Sequence, residues 1–144
     1  GRMGATVRPG PLSSDVGPLT VRVYGHPKAQ GSLSARVVTR TDGRQVAKPY
    51  QGGAVREWRG VVAWAVRRQM LEVGWTLVER ASLSVRLEFT YARRDLDVDK
   101  LARACLDAMS GVAYTDDKQV THLFASKAKG AEPGVVIQVQ ALRA

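Results

Sequence analysis

The chain has a single cysteine, Cys105, among 144 residues. It can form no internal disulfide and, without companions, frames no thiolate zinc site, which fits a reducing compartment. Histidine is almost as scarce. His26 stands in a loop before a proline and His122 in a strand-like run, and neither has a second ligand or a nucleophile at motif spacing, so structural or surface roles are expected for both. No apolar run approaches the roughly 18 residues that a membrane helix needs, and Gly1 to Gly17 lack the apolar stretch of a secretory signal; a soluble, cytoplasmic chain without a membrane partner is the expectation. A phosphate-binding glycine loop and a serine nucleophile elbow are both missing, which excludes P-loop NTPase and α/β-hydrolase chemistry.

What the chain has instead is positive charge. Its 22 Lys and Arg against 13 Asp and Glu give a formal charge of +9 and a pI near 10.3. Such a balance is the footprint of a domain that meets polyanions, nucleic acid first among them, because Lys and Arg release counterions condensed on phosphates. The acids are few but concentrated: Asp95, Asp97, Asp99, Asp107, Asp116 and Asp117 fall within one short stretch. Neighbouring carboxylates repel one another and any polyanion, unless a cation neutralises them. At 44% hydrophobic and 24% charged, the composition supports a packed core, and the length suits one domain.

Residues 1–18, rich in Gly and Pro and without periodicity, are expected to form a poorly ordered leader, leaving 19–144 as the folded domain. Leu19 to Tyr24 alternates like a half-buried strand. Ala35 to Arg40 and Gln45 to Lys48 flank Thr41-Asp42-Gly43-Arg44, where Asp-Gly is the signal of a hairpin turn whose central residues both reach positive φ. From Ala54 to Val73, the residues Val55, Trp58, Val62, Val66, Met70 and Val73 recur at three or four, which predicts a helix with Trp58 in the core; Trp64 lies off that stripe. Ala81 to Tyr91 is the clearest strand. Val98 to Met109 predicts a second helix, with Asp97 placed to cap it and Ser110-Gly111 to end it. Val120 to Ala125 and Val135 to Leu142 read as two strands joined by a turn. The order strand, hairpin, helix, strand, helix, hairpin predicts an α+β domain: one small mixed sheet with two main helices packed on it.

The acids then acquire a setting. Asp97 and Asp99 lie where a long strand gives way to a helix, and Asp116-Asp117 just before the next strand. If the two strands are sheet neighbours, carboxylates from both segments converge. Hard divalent ions such as Mg²⁺ take oxygen ligands of this kind, together with water and a phosphate oxygen, and such an ion turns bound water into a nucleophile for phosphodiester hydrolysis. Each feature has a plainer reading: a helix cap with a solvated acid for Asp97 and Asp99, a polar turn for Asp116-Asp117. Arg103, four residues after Asp99, either meets a phosphate or forms an ordinary helical ion pair with Asp99 or Asp107. Joint occurrence in a basic chain favours catalysis.

The run from Asp97 to Met109 (DVDKLARACLDAM), followed by Gly111 to Val120 (GVAYTDDKQV), resembles the RusA family of Holliday junction resolvases, whose pattern is D-x-D-[NK]-L-x-[KR], then LDAL-x-G-x-x-x-DD-x-Q-[VI]. The Gly25 to Ser32 loop is similar to the family's Pro- and Lys-containing segment after the first strand. The resemblance covers roughly Leu19 to Leu142 and is sharp from 97 to 120. It implies a RusA-like nuclease domain: a homodimeric, Mg²⁺-dependent endonuclease, with Mn²⁺ able to substitute, that nicks four-way DNA junctions symmetrically and is often encoded by phages or prophages. Its metal-binding acids map to Asp97, Asp99 and Asp117, and its basic residue, commonly Lys, to Arg103, where a permanent guanidinium replaces a titratable ammonium. Asp116 and Asp107 fall in supporting positions. Arg93-Arg94-Asp95-Leu96-Asp97 imitates the motif two residues early, but that register puts Leu101 where the basic residue belongs. Lys28, Arg36, Arg40, Lys48, Lys100 and Lys127 are the expected phosphate contacts. Competing readings are a general flap or branched-DNA nuclease and a non-catalytic basic DNA-binding module.

Overall fold

The computed structural model describes residues 17–31, 34–39, 41–50 and 52–142; residues 1–16 of the expected leader lie outside them. In strand β1 (Leu19–Tyr24) the alternation reads out directly, with Leu19, Val21 and Val23 buried and Thr20, Arg22 and Tyr24 in solvent. Strands β2 (Ser34–Thr39) and β3 (Gln45–Tyr50) form the expected hairpin, but as a two-stranded sheet of their own. Its closing pair is Thr39–Gln45, just outside the expected turn of Thr41 to Arg44. Asp42 Oδ1 accepts the Arg44 amide at 2.9 Å, and an aspartate that turns the chain through its own side chain does not need two successive positive φ angles.

Helix α1 (Gly53–Val73) buries Trp58, Val62 and Val66, and Met70 packs against the same core. Trp64 is on the outside, 60% exposed, with the Arg68 guanidinium 5.1 Å from its ring centre. Strand β4 (Leu83–Tyr91) turns Leu83, Val85, Leu87 and Phe89 inward. Helix α2 (Val98–Met109) keeps its expected bounds and buries Leu101, Cys105, Ala108 and Met109, together with Ala102 and Ala104. Strands β5 (Val120–Lys129) and β6 (Gly134–Ala141) complete the chain. The result is a single α+β domain: a four-stranded mixed sheet in the order β1-β6-β4-β5, with both helices packed on it.

That order corrects the expected final hairpin. β5 and β6 are not neighbours; β4 lies between them, parallel to β5 and antiparallel to β6. Burial explains the exchange. β6 offers Val135, Ile137, Val139 and Ala141, all buried, and a strand this apolar is best flanked on both sides. β5 is exposed along most of its length, with Leu123 and Phe124 in solvent, as suits an edge. The connection from β5 to β6 crosses the end of β4, where the Gly130 amide bonds the Tyr91 carbonyl at 3.0 Å. At the start of β6, a Cβ on Gly134 would lie 2.2 Å from the Val23 carbonyl oxygen, so only glycine lets β6 close on β1 there.

Part of the core lies outside any periodic segment. Trp75 is buried and its indole N–H donates to the Ala113 carbonyl at 3.1 Å; Tyr114 is fully buried and its hydroxyl donates to the Leu106 carbonyl at 2.7 Å. Among the described residues, no helix is long and apolar enough to cross a membrane. The sulfur of Cys105 is sealed in the core, and burial pushes its thiol pKa far up. It should therefore resist thiol-alkylating reagents until the protein unfolds, which labelling across a denaturant series will show. Gly134→Ala should cost about 2–3 kcal/mol by forcing backbone apart. Gly60→Ala, in the open on α1 with nothing near a new Cβ, should gain about 0.5–1 kcal/mol. Thermal melts of the two variants should thus shift in opposite directions.

Candidate active site

Between β4 and α2 the chain makes a short crossing whose shape is held from β5. Lys127 Nζ donates to Asp95 Oδ1 at 2.6 Å and to the Leu96 carbonyl at 2.9 Å. Asp97 then occupies the N-cap position of α2 through its backbone, its carbonyl accepting the Leu101 amide at 3.0 Å. Its carboxylate makes no capping bond, contrary to the expectation; it faces Lys100 Nζ at 3.5 Å. Asp99 sits in the first helical turn, where the positive end of the helix dipole favours a carboxylate. Asp97 and Asp99 are both exposed.

A second group of acids lies at the other end of α2. Gln30, buried in the loop after β1, donates its amide nitrogen to Asp107 and accepts from Arg59 of α1, and its backbone N–H bonds the Lys100 carbonyl at 2.9 Å. One glutamine thereby ties loop and both helices together. Asp116 caps a single 3₁₀ turn, Asp117–Gln119, by a reciprocal box: its Oδ1 accepts the Lys118 amide at 2.9 Å while Gln119 Oε1 accepts the Asp116 amide at 3.0 Å. The Lys118 amide, helped by the Asp117 carboxyl and the Lys118 charge, holds the Asp116 carboxyl below the usual carboxylate range. Asp117 goes the other way. Partial burial, then the neighbouring carboxyls of Asp116 and Asp107, raise its pKa.

The expected acids therefore fall in two places. β5 does neighbour β4, as their convergence required, but the pairing is parallel. Asp97 follows the end of β4 while Asp117 precedes the start of β5, and α2 spans the gap. At about 1.5 Å per residue, Asp107 lies roughly 15 Å along the helix from Asp97. The acids acting on Asp117 are Asp107 and Asp116. Among the described residues, no three His, Cys, Asp or Glu side chains form a group able to hold a metal ion. Arg103 projects into solvent from the middle of α2 and, among the described residues, forms no ion pair with Asp99 or Asp107.

Of the expected phosphate contacts, Lys28 lines a recess at the end of β4, Lys100 faces Asp97 and Lys127 is engaged with Asp95. Arg36 and Lys48 are register partners across the β2–β3 hairpin, and Arg40 lies outside the described residues. The Gln30–Arg59 contact has no sequence signal: a polar residue in a loop without periodicity gives no sign that it will be buried between two helices.

The family model for endodeoxyribonuclease RusA matches residues 25–140. The chain belongs to the RusA family. It is thus an endodeoxyribonuclease, a hydrolase acting on DNA, and the RusA assignment supports Holliday junction resolution. No curated protein matches the chain. RusA-family nucleases are generally dependent on a divalent metal. The carboxylates here suit such an ion in donor chemistry, but among the described residues Asp97, Asp99 and Asp117 form no single group that could share one ion.

The raised Asp117 pKa has a consequence for stability. A carboxyl whose pKa is higher folded than unfolded destabilises the fold when ionised. The penalty is absent below the unfolded-state value, grows as pH rises from there and is complete above the folded-state value. In EDTA, Asp117→Asn should raise the melting temperature at neutral pH, and the gain should vanish in acid. Lys127→Ala should accelerate amide hydrogen exchange across residues 93–97 while changing global stability by no more than about 1 kcal/mol.

Proposed function

We propose that this RusA-family chain acts as a homodimeric, Mg²⁺-dependent resolvase, with Mn²⁺ able to substitute, that cuts four-way DNA junctions by paired symmetric nicks. The observation that carries the reading is the family match over residues 25–140, reinforced by the run from Asp97 to Val120. A formal charge of +9 supplies the sequence-independent attraction to DNA. A two-fold dimer presents two identical sites, and a nearly two-fold junction receives matched cuts from them. Asp97 and Asp99 at one end of α2 and Asp117 at the other are the proposed metal-binding acids, not as ligands of one shared ion within a chain, with Asp107 and Asp116 beside Asp117. Lys28, Arg36, Arg40, Lys48, Lys100 and Lys127 are proposed to touch phosphates, which positions DNA without reading its sequence.

Arg103 has the most direct role of the basic residues. With no ion pair to a described residue, its guanidinium is available to a phosphate between the two groups of acids. It keeps its proton throughout the working pH range, so it acts by neutralising charge that develops on the phosphate, not by proton transfer.

Incubating the protein with a labelled four-way junction, with and without Mg²⁺, and mapping the products tests the reading: paired nicks at symmetric positions are expected. Equal rates on flaps would support a general branched-DNA nuclease instead, and binding with no metal-dependent product a non-catalytic module. Asp117→Asn should abolish cutting while junction binding survives or tightens, because a negative charge beside phosphate is removed; a wild-type nicking rate in this variant removes Asp117 from the site. Arg103→Ala should lose about 10²–10³ in rate, and Arg103→Lys should recover most of it.

A further inference from the structure

Two of the tryptophans, Trp58 and Trp75, are buried, and the third, Trp64, stands in solvent on α1. At about 100° per residue its side chain leaves the helix away from the Trp58, Val62 and Val66 stripe, so it contributes nothing to the core. It borders an open groove of about 580 Å³ between α1 and β1, to which Arg22, Arg68, Gln69, Glu72 and Val73 also contribute. That volume is in the range of ligand-binding clefts, roughly 300–1,000 Å³. β1 is one edge of the four-stranded sheet, and β5, which starts beside Asp117, is the other. The groove is therefore separate from both groups of acids.

Its chemistry combines flat rings with positive charge. The Arg68 guanidinium lies 5.1 Å from the centre of the Trp64 ring. On β1 the Arg22 guanidinium lies 5.1 Å from the centre of the Tyr24 ring, which is also exposed. Neither arginine forms an ion pair with a described residue, and one carboxylate, Glu72, against two guanidinium groups leaves the groove net positive. An exposed ring beside a guanidinium attracts a second flat ring through its face and a phosphate through its charge. Gln69 and Glu72 add the donors and acceptors that complement the edge of a base. In a duplex each base face is covered by its neighbours, so a base can stack on Trp64 only where its strand is locally unpaired.

We propose that the groove between α1 and β1 holds an unpaired DNA nucleotide, its base stacked on Trp64 and Arg68 and its phosphate drawn to Arg22, at the sheet edge opposite the acids. The inference rests on the family's action on DNA only for the identity of the polymer; the two ring–guanidinium pairs carry the site. An unpaired nucleotide has two sources in branched DNA: a single-stranded arm, or a base unstacked at the branch point.

Indole fluorescence of the full chain in EDTA reads this site without any cutting, because Trp64 is the one tryptophan in solvent. A short oligo-dT should quench the emission and shield it from acrylamide, whereas plain duplex should do neither. Trp64→Ala should lose the quenching and bind the oligonucleotide about tenfold more weakly by anisotropy. Its melting temperature should not change, since the ring is exposed. Trp64→Phe should recover most of the affinity, and Arg22→Gln should lower the log–log salt slope by about 0.7 for each phosphate it no longer meets. Quenching by a fully paired four-way junction assigns the base at the branch point; quenching only by a junction with a single-stranded tail assigns the arm. Equal quenching by duplex and single strand overturns the site, as does wild-type affinity for oligo-dT in Trp64→Ala. If that variant also sediments as a smaller species, the groove, with the exposed Val61 and Leu71 of the same helix, belongs to a second copy of the chain. A protein that binds single strands through Trp64 but gives no metal-dependent product keeps this site and loses the resolvase reading, whereas one that nicks junctions without quenching loses the site alone.

Discussion

The direction of β5 beside β4 is the constraint on which the site depends. Because the two strands run parallel, the chain must return from the end of one to the start of the other, and α2 makes that return. Residues that leave β4 and residues that enter β5 therefore sit at opposite ends of one helix. Asp97 and Asp99 occupy its beginning, Asp107 and the Asp116–Asp117 turn its end, and Arg103 the middle. An antiparallel pair joined by a short turn would have put all the acids at one sheet edge. The parallel crossover instead spreads acids and a cation along the length of a single helix.

The same direction accounts for which features are legible in the amino-acid order. The bounds of α2 can be read because its apolar spacing and the Ser110-Gly111 stop are local signals. β1 and β4 can be read for the same reason, since strict alternation needs no knowledge of the partner strand. The strand order is not legible. The turn through Gly130 and Gly134 has the chemistry of a hairpin, and only the competition for central positions, which β6 wins by its apolar content, places β4 between the two strands. Adjacency of β4 and β5 is a fair expectation from the placement of the acids, yet its consequence for them depends on direction, which no local pattern records.

Interactions between side chains remote in sequence are equally hidden. Gln30 holds Asp107 and Arg59, Lys127 holds Asp95, and Gln119 gathers the carbonyls of Val78 and Ala81 as well as the amides of Thr115 and Asp116. These are polar residues whose composition says only that water is welcome. The buried Trp75 and Tyr114 belong with them, because each is placed by one hydrogen bond to a backbone carbonyl outside any repeating stripe.

These interactions also divide the acids by function. Asp95 and Asp97 have lysines across from them, Asp107 has the Gln30 amide, and Asp116 has the Lys118 backbone amide. Asp117 alone is described chiefly by what opposes its charge: partial burial and two neighbouring carboxyls. Four of these acids are therefore stabilised by the fold, whereas Asp117 is tolerated by it. A group that structure does not need, retained in a position that structure penalises, is better explained by what it does to a ligand than by what it does for the fold. Arg103 presents the converse: a cation between two sets of acids, engaged in an ion pair with neither among the described residues. Among the described residues Asp117 and Arg103 are thus both left without a salt bridge, which supports the proposal that they act on a phosphate.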